Sequence, residues 1–151
     1  MVSPEMLTAS YTVIIGVSVY VFSRIISKFI IEPIYEQRRV IGEIADALYF
    51  YARIYANPGS LSLQQLNQIS DELRKLSTLL RAKTHLIPFY GFFEKICVVP
   101  KLSNIREASS ELIGLSNSLG KPPLRMTATA IAVKNVKRAD NIKKLLKLKI
   151  E

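Results

Sequence analysis

Residues Met6 to Ile31 read MLTASYTVIIGVSVYVFSRIISKFII, and this apolar stretch decides the fold. The 18 residues from Met6 to Ser23 include no charged side chain. As a helix they extend about 27 Å, close to the ~30 Å hydrocarbon core of a bilayer. Two further turns carry Arg24 and Lys28, whose long side chains can reach the headgroups while the neighbouring isoleucines stay in lipid. The pattern predicts one N-terminal transmembrane helix.

Two other interpretations of this stretch are weaker. Its valines and isoleucines favour a β-strand, but the other β-branched run, Ile96–Val99, ends at Pro100 and offers no sheet to join. A cleaved signal peptide has basic residues before its apolar core and a small-residue cleavage site after it. The sequence has neither. We therefore expect an uncleaved signal anchor.

The distribution of charge around the apolar stretch predicts its orientation. Glu5 precedes the stretch, whereas Arg24, Lys28, Arg38 and Arg39 lie within its last turns or follow it. Flanks rich in Lys and Arg stay on the cytoplasmic side. We expect a single-pass protein of the inner (cell) membrane, with the N-terminus outside and the C-terminal domain in the cytoplasm.

Small residues recur along one face of the stretch. Ala9, Thr12, Gly16 and Ser23 share this face, and Ser27 continues it. Small side chains let helix backbones approach closely in lipid, so the face predicts a homo-oligomer. The alternative, a lipid-facing surface with no partner, is equally compatible with the spacing, because no GxxxG motif is present.

Three later segments have the apolar spacing of amphipathic helices. They run from Pro33 to about Ala56, from a capping box formed by Ser62 and Gln65 to about Thr84, and from Lys101 to Leu119. The clearest apolar stripes are Leu66, Ile69, Leu73, Leu76 and Leu80 in the second segment, and Leu102, Ile105, Ala108, Leu112, Leu115 and Leu119 in the third. Pro33 itself either kinks the first helix or ends it. The predicted fold is all-α, with one N-terminal transmembrane helix followed by a small antiparallel bundle of about three to four helices.

The C-terminal segment differs from the rest in charge. Residues 32–120 contain ten Lys/Arg and nine Asp/Glu, whereas 121–151 contain nine and two. We divide the chain into a transmembrane signal anchor (1–31), a cytoplasmic helical bundle (32–120), and a basic linker with an amphipathic helix (121–151). The apolar face of that helix is Val136, Ala139, Ile142, Leu146 and Ile150. Its basic side chains, predicted to meet anionic lipid, are Lys134, Lys137, Arg138, Lys143, Lys144 and Lys147. Packing as a fourth bundle helix is the favoured alternative for the apolar face.

The segment His85–Pro100 is irregular and aromatic. Pro88, Gly91 and Pro100 exclude one long helix, and a short helical turn is expected between Phe89 and Ile96. Its aromatic side chains predict a corner that closes the core. The alternative is a patch that enters the headgroup region of a membrane.

No catalytic, cofactor-binding or metal-binding residues are predicted. The sequence has no glycine-rich phosphate loop, and its single His and single Cys cannot complete a usual zinc site. His85 and Cys97 could pair as base and nucleophile, but a buried structural Cys97 is the more common arrangement. The acidic residues Glu43 and Asp46, with Glu107 and Glu111, could meet across a bundle, but no second His accompanies them.

Three functions remain compatible with the sequence. The first is a single-pass membrane-anchored helical interaction or scaffold protein without a catalytic site, with a protein partner that the sequence does not identify. The second is a membrane-active, toxin-like protein that oligomerises through its span. The third is anionic-lipid or nucleic-acid binding through the basic C-terminal helix, of which nucleic acid is disfavoured because no recognition motif is found.

Overall fold

A computed structural model describes residues 4–57, 61–120 and 127–148, and their regular elements are helices. The elements are α1 (Pro4–Ile26), a π-helical turn (Ser27–Ile31), α2 (Glu32–Phe50), α3 (Ala52–Ala56), α4 (Leu63–His85), α5 (Tyr90–Lys95), α6 (Leu102–Gly120) and α7 (Ala128–Leu145). The all-α prediction is confirmed, with a long apolar helix first and a bundle after it. The predicted basic linker, Lys121–Arg125, and Ile150 lie outside the described residues.

The first helix does not end at Pro33. The backbone N–H of Glu32 donates to the carbonyl of Ser27, five residues earlier instead of four. Proline lacks an N–H, and its ring clashes with the carbonyl four residues before it in a regular α-helix. The wider π turn ends at Ile31, two residues before Pro33, and accommodates the ring. The helix consequently runs unbroken from Thr8 to Phe50.

Four helices, α2, α4, α6 and α7, form an antiparallel bundle in which each packs on the next. At one end, the Gln37 amide nitrogen donates to the Thr84 hydroxyl (2.8 Å), and the Asn104 amide donates to the Leu145 carbonyl (3.1 Å). We call this the entry end, because the N-terminal helix joins the bundle there. We call the opposite end, near Tyr55, the far end.

The core follows the predicted stripes of α4 and α6. All five α4 positions are buried, as are the α6 positions from Ile105 to Leu119. The capping box at the start of α4 is also confirmed, since the Ser62 hydroxyl accepts from the Gln65 backbone and the Gln65 side chain accepts from the Ser62 backbone. Burial of these aliphatic side chains supplies the main favourable term in folding the bundle.

Two reciprocal serine pairs bring α4 and α6 close together. Ser70 Oγ lies 3.0 Å from the Ser116 carbonyl oxygen, and Ser116 Oγ lies 2.8 Å from the Ser70 carbonyl oxygen. Ser77 and Ser109 repeat the arrangement two turns away, at 2.9 and 3.2 Å. All four side chains are buried, and their hydrogen bonds offset the cost of removing the hydroxyls from water.

Two helices differ from their prediction: one ends earlier than expected, and the other buries a different face. The helix predicted from Pro33 to Ala56 breaks at Tyr51, so that the short α3 turns towards α7. In α7, the predicted positions Ala139, Ile142 and Leu146 are buried, but Val136 is 39% exposed.

The buried face of α7 is rotated because a polar side chain belongs to it. Asn135 is fully buried and accepts a hydrogen bond from the Ser118 hydroxyl, while its amide nitrogen donates to the Tyr55 carbonyl (3.4 Å). Ile131 completes the face one turn earlier. The C-terminal helix therefore packs on α6 and α3.

Candidate functional site

Helix α1 is an apolar rod that packs against nothing in the described chain. Met6 and the large apolar side chains from Tyr11 to Ile26 are exposed, and the first buried side chain of the continuous helix is Gln37. By length and composition this helix is apolar enough to cross a membrane. A soluble domain buries such a surface, because apolar area in water costs about 25 cal/mol per Å².

Hydroxyl groups within the rod bond to their own helix. Ser10 donates to the carbonyl of Met6, Thr12 to that of Thr8, and Ser18 to that of Ile14, at 2.8–2.9 Å. Hydroxyls paired in this way can enter an apolar medium without an unsatisfied polar group.

The face of small residues on α1 is open in the structure. A Cβ atom built at Gly16 meets no other atom within 4 Å. Ala9, Thr12 and Ser23 are likewise exposed. This face is therefore free for another helix, and the oligomer predicted from it stays a prediction.

The irregular segment 86–100 forms both a core corner and an exposed patch. Ile87 and Val99 are buried, and the Tyr90 hydroxyl donates to the Pro100 carbonyl (2.7 Å) while accepting from the Gln37 amide (3.2 Å). The predicted core-closing corner is thus present. A second set of side chains points away from the core and is exposed, namely Leu86, Phe89, Phe92 and Ile96.

Cys97 is exposed, so the expectation of a buried structural cysteine is wrong. The residue follows α5 in a left-handed backbone conformation, with φ of 59°. The chain reverses direction there, and the Val98 carbonyl accepts from the Arg38 guanidinium (2.9 Å). Neighbouring apolar residues in the sequence gave no sign of this turn.

The six basic side chains assigned to lipid contact are not equivalent. Arg138 lies against α6, where it donates to the Gly114 carbonyl and pairs with Glu111 at 3.4 Å. Lys143 pairs with Asp140 and lies 5.6 Å from the Tyr49 ring centroid. The remaining four, Lys134, Lys137, Lys144 and Lys147, are exposed. Of these four, Lys144 and Lys147 lie at the entry end.

Three of the open clefts between the helices are lined entirely by residues that the structure describes. One of about 220 Å³ has Arg81, His85 and Arg106 in its lining, and one of about 290 Å³ has Arg38, Cys97 and Lys147 in its lining. The largest, of about 480 Å³, lies between α2 and α4 and has Gly42, Glu43, Asp46, Glu72 and Lys75 in its lining. None of the three is enclosed enough to exclude water.

The residues weighed for catalysis do not converge. His85 and Cys97 line different clefts. Glu43 faces the groove between α2 and α4, whereas Glu111 pairs with Arg138 across α6 and α7. In residues 4–57, 61–120 and 127–148, no three His, Cys, Asp or Glu side chains group as metal ligands.

Three tyrosines have raised pKa values, each for a structural reason. A hydrogen bond to Glu72 (2.6 Å), together with burial, raises the pKa of Tyr51 to about 12. Burial raises the pKa of Tyr55, and it also raises the pKa of Tyr90 against the opposing effect of the hydrogen bond from Gln37. These phenols stay neutral at physiological pH and act as hydrogen-bond donors that hold the bundle together.

Comparison of the chain with protein-family models, with curated proteins and with solved structures returns no match.

Proposed function

We propose that this protein is a single-pass membrane-anchored interaction or scaffold protein, in which α1 crosses the inner membrane and the bundle lies in the cytoplasm. The observation that carries the proposal is the exposure of the large apolar side chains of α1 from Tyr11 to Ile26. Residues Thr8–Ile31 give about 36 Å of helix, which is enough for a ~30 Å core with some tilt.

The side chains of α1 suit a lipid environment in two respects. Its Ser10, Thr12 and Ser18 hydroxyls are satisfied within the helix. Arg24 and Lys28 lie near the C-terminal end of the apolar stretch, from which they can reach the headgroups. These features support a spanning role over that of a core helix.

An interaction role for the bundle is supported by its surfaces. Three surfaces are available to partners: the small-residue face of α1, the exposed patch of segment 86–100, and the exposed lysines of α7. The open, shallow clefts do not provide the enclosed, dry pocket that most enzymes use.

Fractionation of cells expressing the full chain tests the anchor. We expect the protein in the membrane fraction after extraction with alkaline carbonate, because only a peripheral protein is released by that treatment. Recovery of a monomer in the supernatant without detergent would overturn the proposal. Affinity purification from native membranes then identifies the partners. A variant with two charges in the apolar stretch, Val17→Arg with Val19→Arg, is the control, because a partner that binds only the membrane-inserted protein should not co-purify with it.

The exposed Cys97 allows the orientation to be tested without a reporter. Because it is the single cysteine, a membrane-impermeant maleimide reports one position. With the N-terminus outside, Cys97 is labelled only after the cells are opened. Labelling in intact cells would show that Cys97 lies outside the cell. That result would contradict the proposed orientation but not the proposed span.

A second candidate function is the binding of anionic lipid by the C-terminal end of α7, favoured by the exposure of Lys144 and Lys147 at the entry end. Native mass spectrometry of the purified full chain counts retained lipids. Lys144→Gln with Lys147→Gln should reduce retained phosphatidylglycerol, whereas Lys134→Gln with Lys137→Gln, further along α7, should not. Equal retention in both variants would exclude a lipid site at this end.

A further inference from the structure

We propose that the exposed side chains Leu86, Phe89, Phe92 and Ile96 form a foot that inserts into the headgroup region of an anionic bilayer and seats the bundle on the membrane surface. The proposal rests on the proposed span of α1, and it goes further by assigning a second, independent membrane contact to the bundle.

The foot lies at the end of the bundle that faces the bilayer. Glu36 pairs with Lys83 (3.4 Å) and Gln37 bonds to Thr84 (2.8 Å), which places the end of α4 level with the beginning of α2. Because α4 runs antiparallel to α2, the chain beyond Thr84 continues towards the apolar rod.

The distance along the helix brings this end close to lipid. Gln37 follows Ile31 by six residues, or about 9 Å of helix. The headgroup region is roughly 5–8 Å thick on each side of the hydrocarbon core. The segment beyond Thr84, which carries Leu86 and Phe89, therefore lies within side-chain reach of the interface when Ile31 lies at the edge of the core.

The foot is held rigidly against the bundle. Ile87 and Val99, on either side of it, are buried in the core. Tyr90 is hydrogen-bonded to Pro100 (2.7 Å), and the Glu94 carboxylate accepts from the Leu102 backbone N–H (3.2 Å). A segment fixed in this way loses little conformational entropy when it binds.

Phe89 combines a rare backbone conformation with an exposed aromatic ring. Its backbone is left-handed, with φ of 50° and ψ of 37°, which is rare and costly for a bulky residue. Its side chain is nevertheless 81% exposed, so this conformation gains no packing within the chain. Strain that presents an aromatic ring to the outside indicates a binding surface, and aromatic rings favour the membrane interface.

The charge around the foot is complementary to anionic lipid. Residues 81–106 contain five Lys/Arg, of which Lys83 pairs with Glu36, and one acidic residue, Glu94, whose carboxylate accepts from the Leu102 backbone N–H. In contrast, residues 32–80 contain five Lys/Arg and six Asp/Glu. Lys95 and Lys101 are exposed beside the foot, as is Lys147 at the end of α7. Basic side chains at this level are attracted to an anionic lipid surface.

A set of single-tryptophan variants tests the foot, because the chain has no native Trp. Phe89→Trp reports the foot. Phe50→Trp is a matched control, since Phe50 is 76% exposed but lies at the last residue of α2, away from the entry end. Phe22→Trp reports the span. Each full-length variant is reconstituted into nanodiscs of phosphatidylcholine with phosphatidylglycerol, brominated either near the headgroup or near the chain end.

We expect shallow bromine to remove about half or more of the Phe89→Trp emission, with a blue shift, because an inserted ring lies beside the upper acyl chains. The Phe50→Trp emission should stay unquenched and accessible to aqueous iodide. Omitting phosphatidylglycerol should weaken the quenching of Phe89→Trp. Equal, weak quenching of Phe89→Trp and Phe50→Trp, with deep quenching of Phe22→Trp, would overturn the foot while the span stands.

Two other outcomes are also decisive. If Phe22→Trp is not quenched by deep bromine, the span itself fails and the foot fails with it. If Phe89→Trp shows a blue shift that depends on protein concentration and not on bromine, a second copy of the chain covers these side chains. That result would overturn the lipid assignment.

Discussion

Two arginines in the middle of α1 provide the most direct test of the anchor. Val17→Arg with Val19→Arg places two charges at the midpoint of Met6–Ile31. Both valines are exposed, so the exchange removes no packing from the bundle. Insertion and bundle stability can therefore be measured separately in one chain.

The expected loss follows from the composition of the span. Met6–Ser23 contains eight Leu, Ile, Val or Phe residues. At about −0.3 to −0.6 kcal/mol each they favour insertion by roughly 2–5 kcal/mol. Two arginines near the centre cost about 5–7 kcal/mol, and the two lost valines add about 1 kcal/mol. The summed free energy of membrane insertion therefore becomes unfavourable, and the double variant should not insert.

The assay is membrane integration during synthesis, followed by carbonate extraction. We expect the double-arginine variant in the soluble fraction, with the thermal unfolding of its bundle unchanged by circular dichroism. The matched control places the same two arginines at exposed apolar positions of the bundle, Leu63→Arg with Val133→Arg. This control should stay in the membrane.

Either of two results would refute the reasoning. The first is carbonate-resistant integration of the double-arginine variant at the wild-type level, since α1 would then not be the element that enters lipid. The second is loss of bundle stability in that variant, since α1 would then pack on the bundle.

Three further predictions concern association, the core and alkaline pH. Gly16→Leu fills an open position on α1 and should reduce crosslinked oligomers without altering the bundle; unchanged crosslinking would remove the small-residue face as a contact. Leu112→Ala, at a fully buried site, should lower the free energy of unfolding by about 2–5 kcal/mol in denaturant melts, whereas Leu63→Ala at an exposed site should change it by less than about 0.5 kcal/mol. The pKa of Tyr51 is raised from 10.0 to about 12, so its neutral form favours folding; this stabilisation is complete below pH 10.0 and is lost as pH rises through about 12. Tyr51→Phe should therefore flatten the alkaline fall in melting temperature, and an unchanged fall would contradict the role assigned to Glu72.

The sequence predicted the helices whose apolar residues repeat regularly. Leu66, Leu73 and Leu80 recur at heptad spacing, and this spacing alone places them on one buried face. Composition and length likewise identified the apolar rod. Each of these patterns lies within one segment, so its interpretation does not depend on contacts with other parts of the chain.

Features that depend on tertiary contacts were not predictable in this way. Ser77 and Ser109 are polar, and only their mutual hydrogen bonds make them core residues. Asn135 is buried for the same reason, and it rotates the face of α7 away from Val136.

Backbone geometry accounts for the other differences. Pro33 left two outcomes open because a proline alone does not reveal the π turn that accommodates it. Cys97 lies among apolar neighbours, and its exposure depends on a left-handed turn that their sequence does not encode. In segment 86–100 the predicted core-closing corner is present, with Ile87 and Val99 buried, while the exposed side chains beside it leave the membrane-contacting patch a proposal.

The unbroken helix from Thr8 to Phe50 makes the bundle mechanically continuous with the apolar rod. Phe50 lies 19 residues beyond Ile31, or about 28 Å along the axis, so tilting the rod by about 10° displaces that point by about 5 Å. With α1 in the bilayer as proposed above, a change in bilayer thickness, or a neighbour against α1, would be converted into a lateral displacement of the far end. A flexible linker in place of the π turn would absorb such a motion.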